Sequence, residues 1–245
     1  MIGVYANLSE RTRQVAALRR GIELGCNMID TAEMYADGRS EEVVAEAVKD
    51  VRKDVFIASK VSPENLRHDD IIEACQRSLR RLKTSYIDLY QVHWPNPRVP
   101  IRETMKAMEE LVRSGKIRYI GVSNFSVKQT DEARDSLSKN ELVSNQVEYS
   151  LRNRAVEADV LPYCEKEKLT LIAYTPLAKG KVPSATIPQA ICNKYNLTPI
   201  QVMLNWVTRS ENTVAIPKSA DIKHVEENAS SVSVRFSEKE YCSIG

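Results

Sequence analysis

Four side chains of this chain can carry proton chemistry together: Asp30, Tyr35, Lys60 and His93. Asp30 ends the short apolar run Met28-Ile29, Tyr35 follows on the next loop, and Lys60 and His93 close two later β-branched runs, 55–59 and 87–92. A phenol ionises at about 10, too high for efficient proton donation near neutrality, and an adjacent ammonium favours the phenolate. Lys60 is therefore expected to lower the Tyr35 pKa. Asp30 would balance Lys60 at a half-buried site, and His93 would hold a substrate oxygen near the phenol. Taken singly, Asp30 reads as a helix cap, Tyr35 as a surface aromatic and His93 as a packed side chain. Their joint occurrence on successive strand ends carries the chemical reading, which is a general acid and an oxygen-orienting donor sharing one carbonyl oxygen.

A second set lies beyond His93. Ser123, Asn124 and Gln146 offer the donors and acceptors that grip a carboxamide. Tyr174 offers a flat face for an aromatic ring. Ile216-Pro217-Lys218-Ser219 puts a cation and a hydroxyl just before a helix N-terminus, where anions bind. Amide clamp, stacking ring and phosphate grip, in that order, suit a nicotinamide dinucleotide. No Gly-x-Gly-x-x-Gly fingerprint follows a strand, so Gly-rich dinucleotide binding is not expected.

The elements that must position these groups alternate regularly. Apolar residues at Val15, Ala16, Leu18 and Ile22 share one helical face over 9–24. Further helices are predicted over about 40–51 with Ser40 as N-cap, 69–82, 101–113, 127–137, 156–167, 189–195 and 199–208, and a last one from Asp221. Strands are predicted near 28–30, 55–59, 87–92, 119–122, 142–145, 169–173 and 213–216. The polar residues that end them are mostly roughly 30 positions apart, the length of a strand-helix-strand unit, so the strands should run parallel. An open doubly wound sheet would gather its polar strand ends at one switch point. Here every strand carries one, which favours an α/β (β/α)8 barrel in a single domain over 1–245.

Composition limits the function classes. The 245 residues hold 35 Lys plus Arg against 33 Asp plus Glu, a net charge of +2, which supplies no bulk field for nucleic acid or a membrane surface. No apolar run approaches the ~20 residues of a membrane span, and the N-terminus does not read as a secretory leader. A cytoplasmic, soluble monomer acting on a small molecule is expected. The five cysteines form no Cys-x-x-Cys pair and read as idle thiols, and His68, His93 and His224 lack metal-ligand spacing, so no metal is expected.

Asp30-Thr-Ala-Glu-Met-Tyr35, Lys60-Val61, Gln91-Val-His93-Trp94-Pro95, Gly121-Val-Ser-Asn-Phe125, Asn145-Gln-Val-Glu-Tyr149, Tyr174-Thr-Pro-Leu177 and Ile216-Pro-Lys-Ser219 with Glu227-Asn228 resemble the motifs of the aldo-keto reductase family in order and spacing. The resemblance covers nearly the whole chain. It implies a TIM barrel, NADP(H)-linked reduction of aldehydes or ketones, and a catalytic tetrad of Asp30, Tyr35, Lys60 and His93. It also implies cofactor contacts from Ser123, Asn124, Gln146, Tyr174, Pro176, Leu177, Ile216, Lys218, Ser219, His224, Glu227 and Asn228, with Trp94 and Tyr149 bounding the substrate pocket. Three departures stand out. The family's opening hairpin and first barrel strand are expected to be missing, because Met1-Ile-Gly-Val-Tyr-Ala6 runs almost directly into a helix. His224 stands where the family commonly has an arginine on the 2′-phosphate, so preference for NADP(H) over NAD(H) rests on Lys218 and Ser219. The long C-terminal loop is also lacking, and an open, permissive pocket is expected. A tetrad-bearing cofactor-binding regulatory subunit with little turnover is the alternative, and a Schiff-base aldolase using Lys60 is a third reading.

Overall fold

The β-branched runs and the amphipathic runs of the sequence form strands and helices that alternate as far as Tyr174, after which helices also follow one another directly. A computed structural model describes residues 8–181 and 186–245. In chain order they are α1 Leu8–Glu23, β1 Met28–Asp30, α2 Arg39–Val48, β2 Phe56–Val61, α3 His68–Leu82, β3 Ile87–Val92, α4 Ile101–Arg113, β4 Ile117–Ser123, α5 Val127–Ser136, β5 Leu142–Glu148, α6 Val160–Lys166, β6 Thr170–Tyr174, α7 Gln189–Tyr195, α8 Pro199–Val207, β7 Thr213–Ala215, α9 Ile222–Ala229 and α10 Glu238–Cys242.

Among the described residues seven strands lie side by side in sequence order, all parallel. That is the outcome of repeated right-handed strand-helix-strand crossovers. Asp30 pairs with Ala58 and Lys60 with Gln91. These pairings bring successive polar strand ends to one rim of the curled sheet. Two apolar clusters hold the layers together. The large one joins the helices to the outward strand faces through Val43, Ile57, Ile71, Tyr90, Met105 and Trp206, all nearly or fully buried. The small one, Ala58, Leu89, Ile172 and Ile216, fills the inside of the curl. Strands buried on both faces need such continuous apolar runs.

Helices close the ring where the sheet does not. α9 packs on α1, with Arg20 Nε 2.8 Å from Glu226 Oε1. Among the described residues β7 and β1 do not pair. A cavity of ≈250 Å³ occupies that seam, lined by Ala17, Leu18, Ile29, Leu204 and Ala215 among others. The expectation of a missing first strand, which concerns 1–6, lies outside the described residues. No helix among the described residues is long and apolar enough to cross a membrane.

Four local expectations are revised. α2 is capped by Gly38 at φ 85°, not by Ser40, whose hydroxyl lies inside the helix 2.9 Å from that of Thr31. β5 runs on to Glu148 because it pairs with β6 as far as Tyr174. The helix predicted over 156–167 breaks at Asp159 (φ −147°), which caps α6 by accepting from the Val160 N–H. α10 was not predicted, although the capping box of Ser237 and Glu240 was visible as Ser-x-x-Glu.

Candidate active site

The sequence stacks acid, base and phenol within one buried group. β1 ends on Asp30 and β2 carries Lys60 beside it, both with no side-chain exposure. Lys60 Nζ donates to Asp30 Oδ2 at 2.6 Å, to the Thr31 carbonyl at 3.0 Å and to the Tyr35 hydroxyl at 3.3 Å. All three ammonium protons are thereby engaged. The Tyr35 hydroxyl also lies 3.4 Å from His93 Nε2, with the two rings edge to face at 5.4 Å. The phenol is the one atom of the network in contact with both a cation and an imidazole.

Electrostatics alter one expectation. Burial, and then the Asp30 carboxylate, push the Tyr35 phenol well above its ordinary value instead of lowering it. The reason is geometric: the phenol is largely out of water and close to the Asp30 carboxylate, while Lys60 holds its own charge against that carboxylate at 2.6 Å. Burial also lowers the Lys60 pKa, with Asp30 opposing. His93, 8% exposed, is pushed down to about 4 by burial and then by the Lys60 charge. It is neutral at pH 7 and offers one donor and one acceptor. Its Nδ1 is buried without a partner.

A stability test follows from His93. Above pH 6.5 the imidazole is neutral folded or unfolded; between there and about 4 only the unfolded chain takes up the proton. Folding stability is expected to fall as pH drops through that window, and less so in His93→Phe. Urea midpoints at pH 7 and pH 5 for the two proteins check this, an identical pH dependence being the contrary result.

Next to the phenol a hollow of ≈300 Å³ opens, lined by Met34, Tyr35, His93, Trp94, Ser123, Asn124, Gln146 and Tyr174. Trp94 (47% exposed) and Met34 (48%) form its apolar rim. Asn124 sits at φ 61°, a left-handed conformation that asparagine tolerates. Its Nδ2 donates to the His93 carbonyl and to Ser123 Oγ, and its Oδ1 accepts from the Tyr174 hydroxyl at 3.0 Å. Gln146 Nε2 donates to Asp30 Oδ1 at 2.8 Å. The predicted amide clamp and the predicted proton network therefore share a bond, a link that no spacing in the sequence signals.

The remaining predicted contacts line an adjoining cavity of ≈520 Å³ between the loop after β6 and the start of α9. Pro176, Leu177, Ile216, Lys218, Ser219, His224, Glu227 and Asn228 all face it. Ser219 braces that helix start by accepting from the Asp221 N–H at 3.0 Å. Thr198 donates to Glu227 Oε1 at 2.5 Å, and Asn228 Oδ1 is buried without a partner. Among the described residues no cluster of His, Cys, Asp and Glu could hold a metal ion.

Tyr149 is a correction. It is fully buried, donates to Glu157 at 2.7 Å, accepts from Arg209 Nη1 at 2.7 Å, and packs on Trp206. Side chains alternate along a strand, so the register that sends Gln146 inward sends Tyr149 outward under the helices. It does not bound the hollow. Thr31, which holds Lys60 through its carbonyl, and Met34 on the rim were not anticipated; a backbone contact and an exposed methionine have no sequence signature.

Known proteins share this arrangement of elements. A sequence profile of the Aldo/keto reductase family matches residues 3–244. A methylglyoxal reductase of Escherichia coli K12 is 44% identical over 237 residues, covering 95% of this chain and 83% of the relative. A glyoxal reductase of Bacillus subtilis is 35% identical over 93% of this chain and 80% of its own. Among solved structures, an aldo-keto reductase from Klebsiella pneumoniae in complex with NADPH superposes with a TM-score of 0.90 at 39% identity, covering 98% of this chain and 88% of that one. With a matching profile over almost its whole length and strands and helices in the same (β/α)8 order, this chain belongs to the aldo/keto reductase family.

Proposed function

We propose that the protein is an NADP(H)-dependent carbonyl reductase that turns small aldehydes and ketones into alcohols, with Tyr35 as general acid. The observation that carries this reading is the Tyr35 hydroxyl, held 3.3 Å from Lys60 and 3.4 Å from His93 at the mouth of the hollow. A carbonyl oxygen placed there meets a proton donor and an imidazole at once. The raised phenol pKa keeps the proton on Tyr35 until it is needed. It does not oppose transfer, because the oxygen left after hydride addition is an alkoxide, more basic than a phenolate. Neutral His93 orients that oxygen, and the Lys60 ammonium, which Asp30 keeps charged, donates to the phenolate that remains.

The residues present fit the cofactor. Gln146, with Nε2 committed to Asp30, has Oε1 left to accept from a carboxamide NH₂, and Ser123 and Asn124 stand beside it. Tyr174 supplies a ring face, Lys218, Ser219 and His224 gather donors for phosphate, and the orphaned Asn228 Oδ1 can accept from an exocyclic amine. Bound there, the reduced nicotinamide supplies the hydride. Schiff-base chemistry is disfavoured, since all three protons of Lys60 are engaged and no lysine is among the described residues that line the hollow.

The relatives named for methylglyoxal and glyoxal suggest 2-oxoaldehydes as the first substrates to try. A hollow of ≈300 Å³ with an exposed Trp94 and Met34 rim suits small carbonyls without demanding one shape. NADPH consumption is expected with methylglyoxal and with a panel of simple aldehydes and sugars; none with any carbonyl would refute the reading. With Lys218 and Ser219 near the helix start, kcat/KM is expected to favour NADPH over NADH by roughly tenfold or more, the worth of one charge-assisted contact. Equal values with the two cofactors would remove Lys218 and Ser219 from that role.

A further inference from the structure

The loop carrying Tyr35 is strained where it enters α2. Ala36, Asp37 and Gly38 have φ of 53°, 55° and 85°, three left-handed residues in succession, two of them bearing side chains. Such a turn persists only where its surroundings over-determine it. Those surroundings are a polar network that makes no hydrogen bond to Asp30, Tyr35, Lys60 or His93. Glu41, in the first turn of α2, has no exposure. Its carboxylate accepts from Ser59 Oγ at 2.5 Å and from Arg81 Nε at 2.7 Å. Ser59 precedes Lys60 on β2, and Arg81 comes from the last turn of α3. The Arg81 guanidinium also fills the place a side chain would take at position 38, since a Cβ on Gly38 would lie 2.4 Å from Arg81 Nε. Gly38 is thus required by its backbone angle and by the arginine packed on it.

We propose that the Glu41–Arg81 ion pair positions the proton donor: it seats α3 against the turn after Tyr35 and so sets where the phenol lies relative to Lys60 and His93. A buried ion pair recovers little more than its own desolvation, and an apolar pair of equal volume would stabilise the helix contact as well. What the planar, forked guanidinium adds is direction, held by one contact to Glu41 and one to Ser78 Oγ at 3.2 Å. Glu33 supports the same loop from its other side by accepting from the Ser62 N–H at 2.7 Å and from Asn65. Glu41 and Arg81 are positioning residues on this account, and the inference rests on the reading of Tyr35 as general acid.

Arg81→Lys keeps a charge opposite Glu41 and removes the fork. It is expected to lower kcat by about 10- to 100-fold, the scale of a displacement of about 1 Å at a reacting group, with KM and NADPH affinity by fluorescence titration nearly unchanged. In a Tyr35→Phe background the same substitution should change the residual kcat by less than about twofold, because the phenol it aims is gone. Glu41→Gln, which keeps the Ser59 bond and frees Arg81 toward solvent, should repeat the pattern and serves if Arg81→Lys does not fold. A kcat within about twofold of the wild type in the folded variants, or an equal loss with and without the phenol, overturns the positioning role. Wild-type turnover undiminished by Tyr35→Phe would instead overturn the reading of Tyr35, and this inference with it.

Discussion

Replacing Tyr35 with Phe is expected to lower kcat by roughly 10²–10⁴-fold, the usual contribution of a positioned general acid, while NADPH affinity stays within a few fold. The substitution removes one oxygen and leaves the ring packed edge to face on His93 at 5.4 Å. Lys60 keeps its bonds to Asp30 and to the Thr31 carbonyl, so the cation is not abandoned. Nothing in the amide clamp touches the lost hydroxyl, since Asn124 bonds to His93, Ser123 and Tyr174. The loss should therefore fall on kcat, and a steady-state comparison paired with a fluorescence titration of cofactor separates the two quantities. Turnover equal to the wild type would end the general-acid assignment; lost cofactor binding would move Tyr35 into the binding site instead.

Asp30→Leu is expected to be the most damaging single change to the fold. It leaves the Lys60 ammonium, with no exposure, hydrogen-bonded only to a carbonyl and a hydroxyl. Breaking a buried ion pair from one side costs about 3–5 kcal/mol, because the surviving charge is uncompensated. Gln146 would also lose the acceptor for its Nε2. Urea denaturation followed by tryptophan fluorescence measures the loss. Asp30→Leu with Lys60→Met should recover most of that stability, since the replaced pair is then apolar, yet remain inactive. A cost below about 1 kcal/mol for Asp30→Leu alone would mean that Lys60 has another partner or access to water.

Much of this protein was legible from local pattern. The strands β3 and the helices α4 and α7 fall on the predicted bounds, because a β-branched run or an amphipathic stretch flanked by Pro, Gly or Ser specifies its own conformation before packing acts. The parallel order followed from spacing alone, as a strand-helix-strand unit has a fixed length and hand. So did the meeting of Asp30, Lys60 and His93: each lies at, or within one residue of, the end of one of three consecutive strands, and parallel strands must deliver their ends to one rim.

What the sequence could not decide were quantities set by direction and burial. Whether Tyr149 faced the mouth or the helices depended on where β5 ended, and one residue of alternation separates the two. The Tyr35 pKa depended on how tightly Lys60 was already held, and a bond of 2.6 Å to Asp30 is a distance no spacing encodes. The Gln146–Asp30 bond and the Glu41–Arg81 pair join positions far apart in the chain, and only the closed packing of strands and helices brings them together. Residue types and periods along the chain thus determined the architecture and which strand ends share the rim. Tertiary structure alone decided how those groups share charge, because screening and desolvation depend on distances in space.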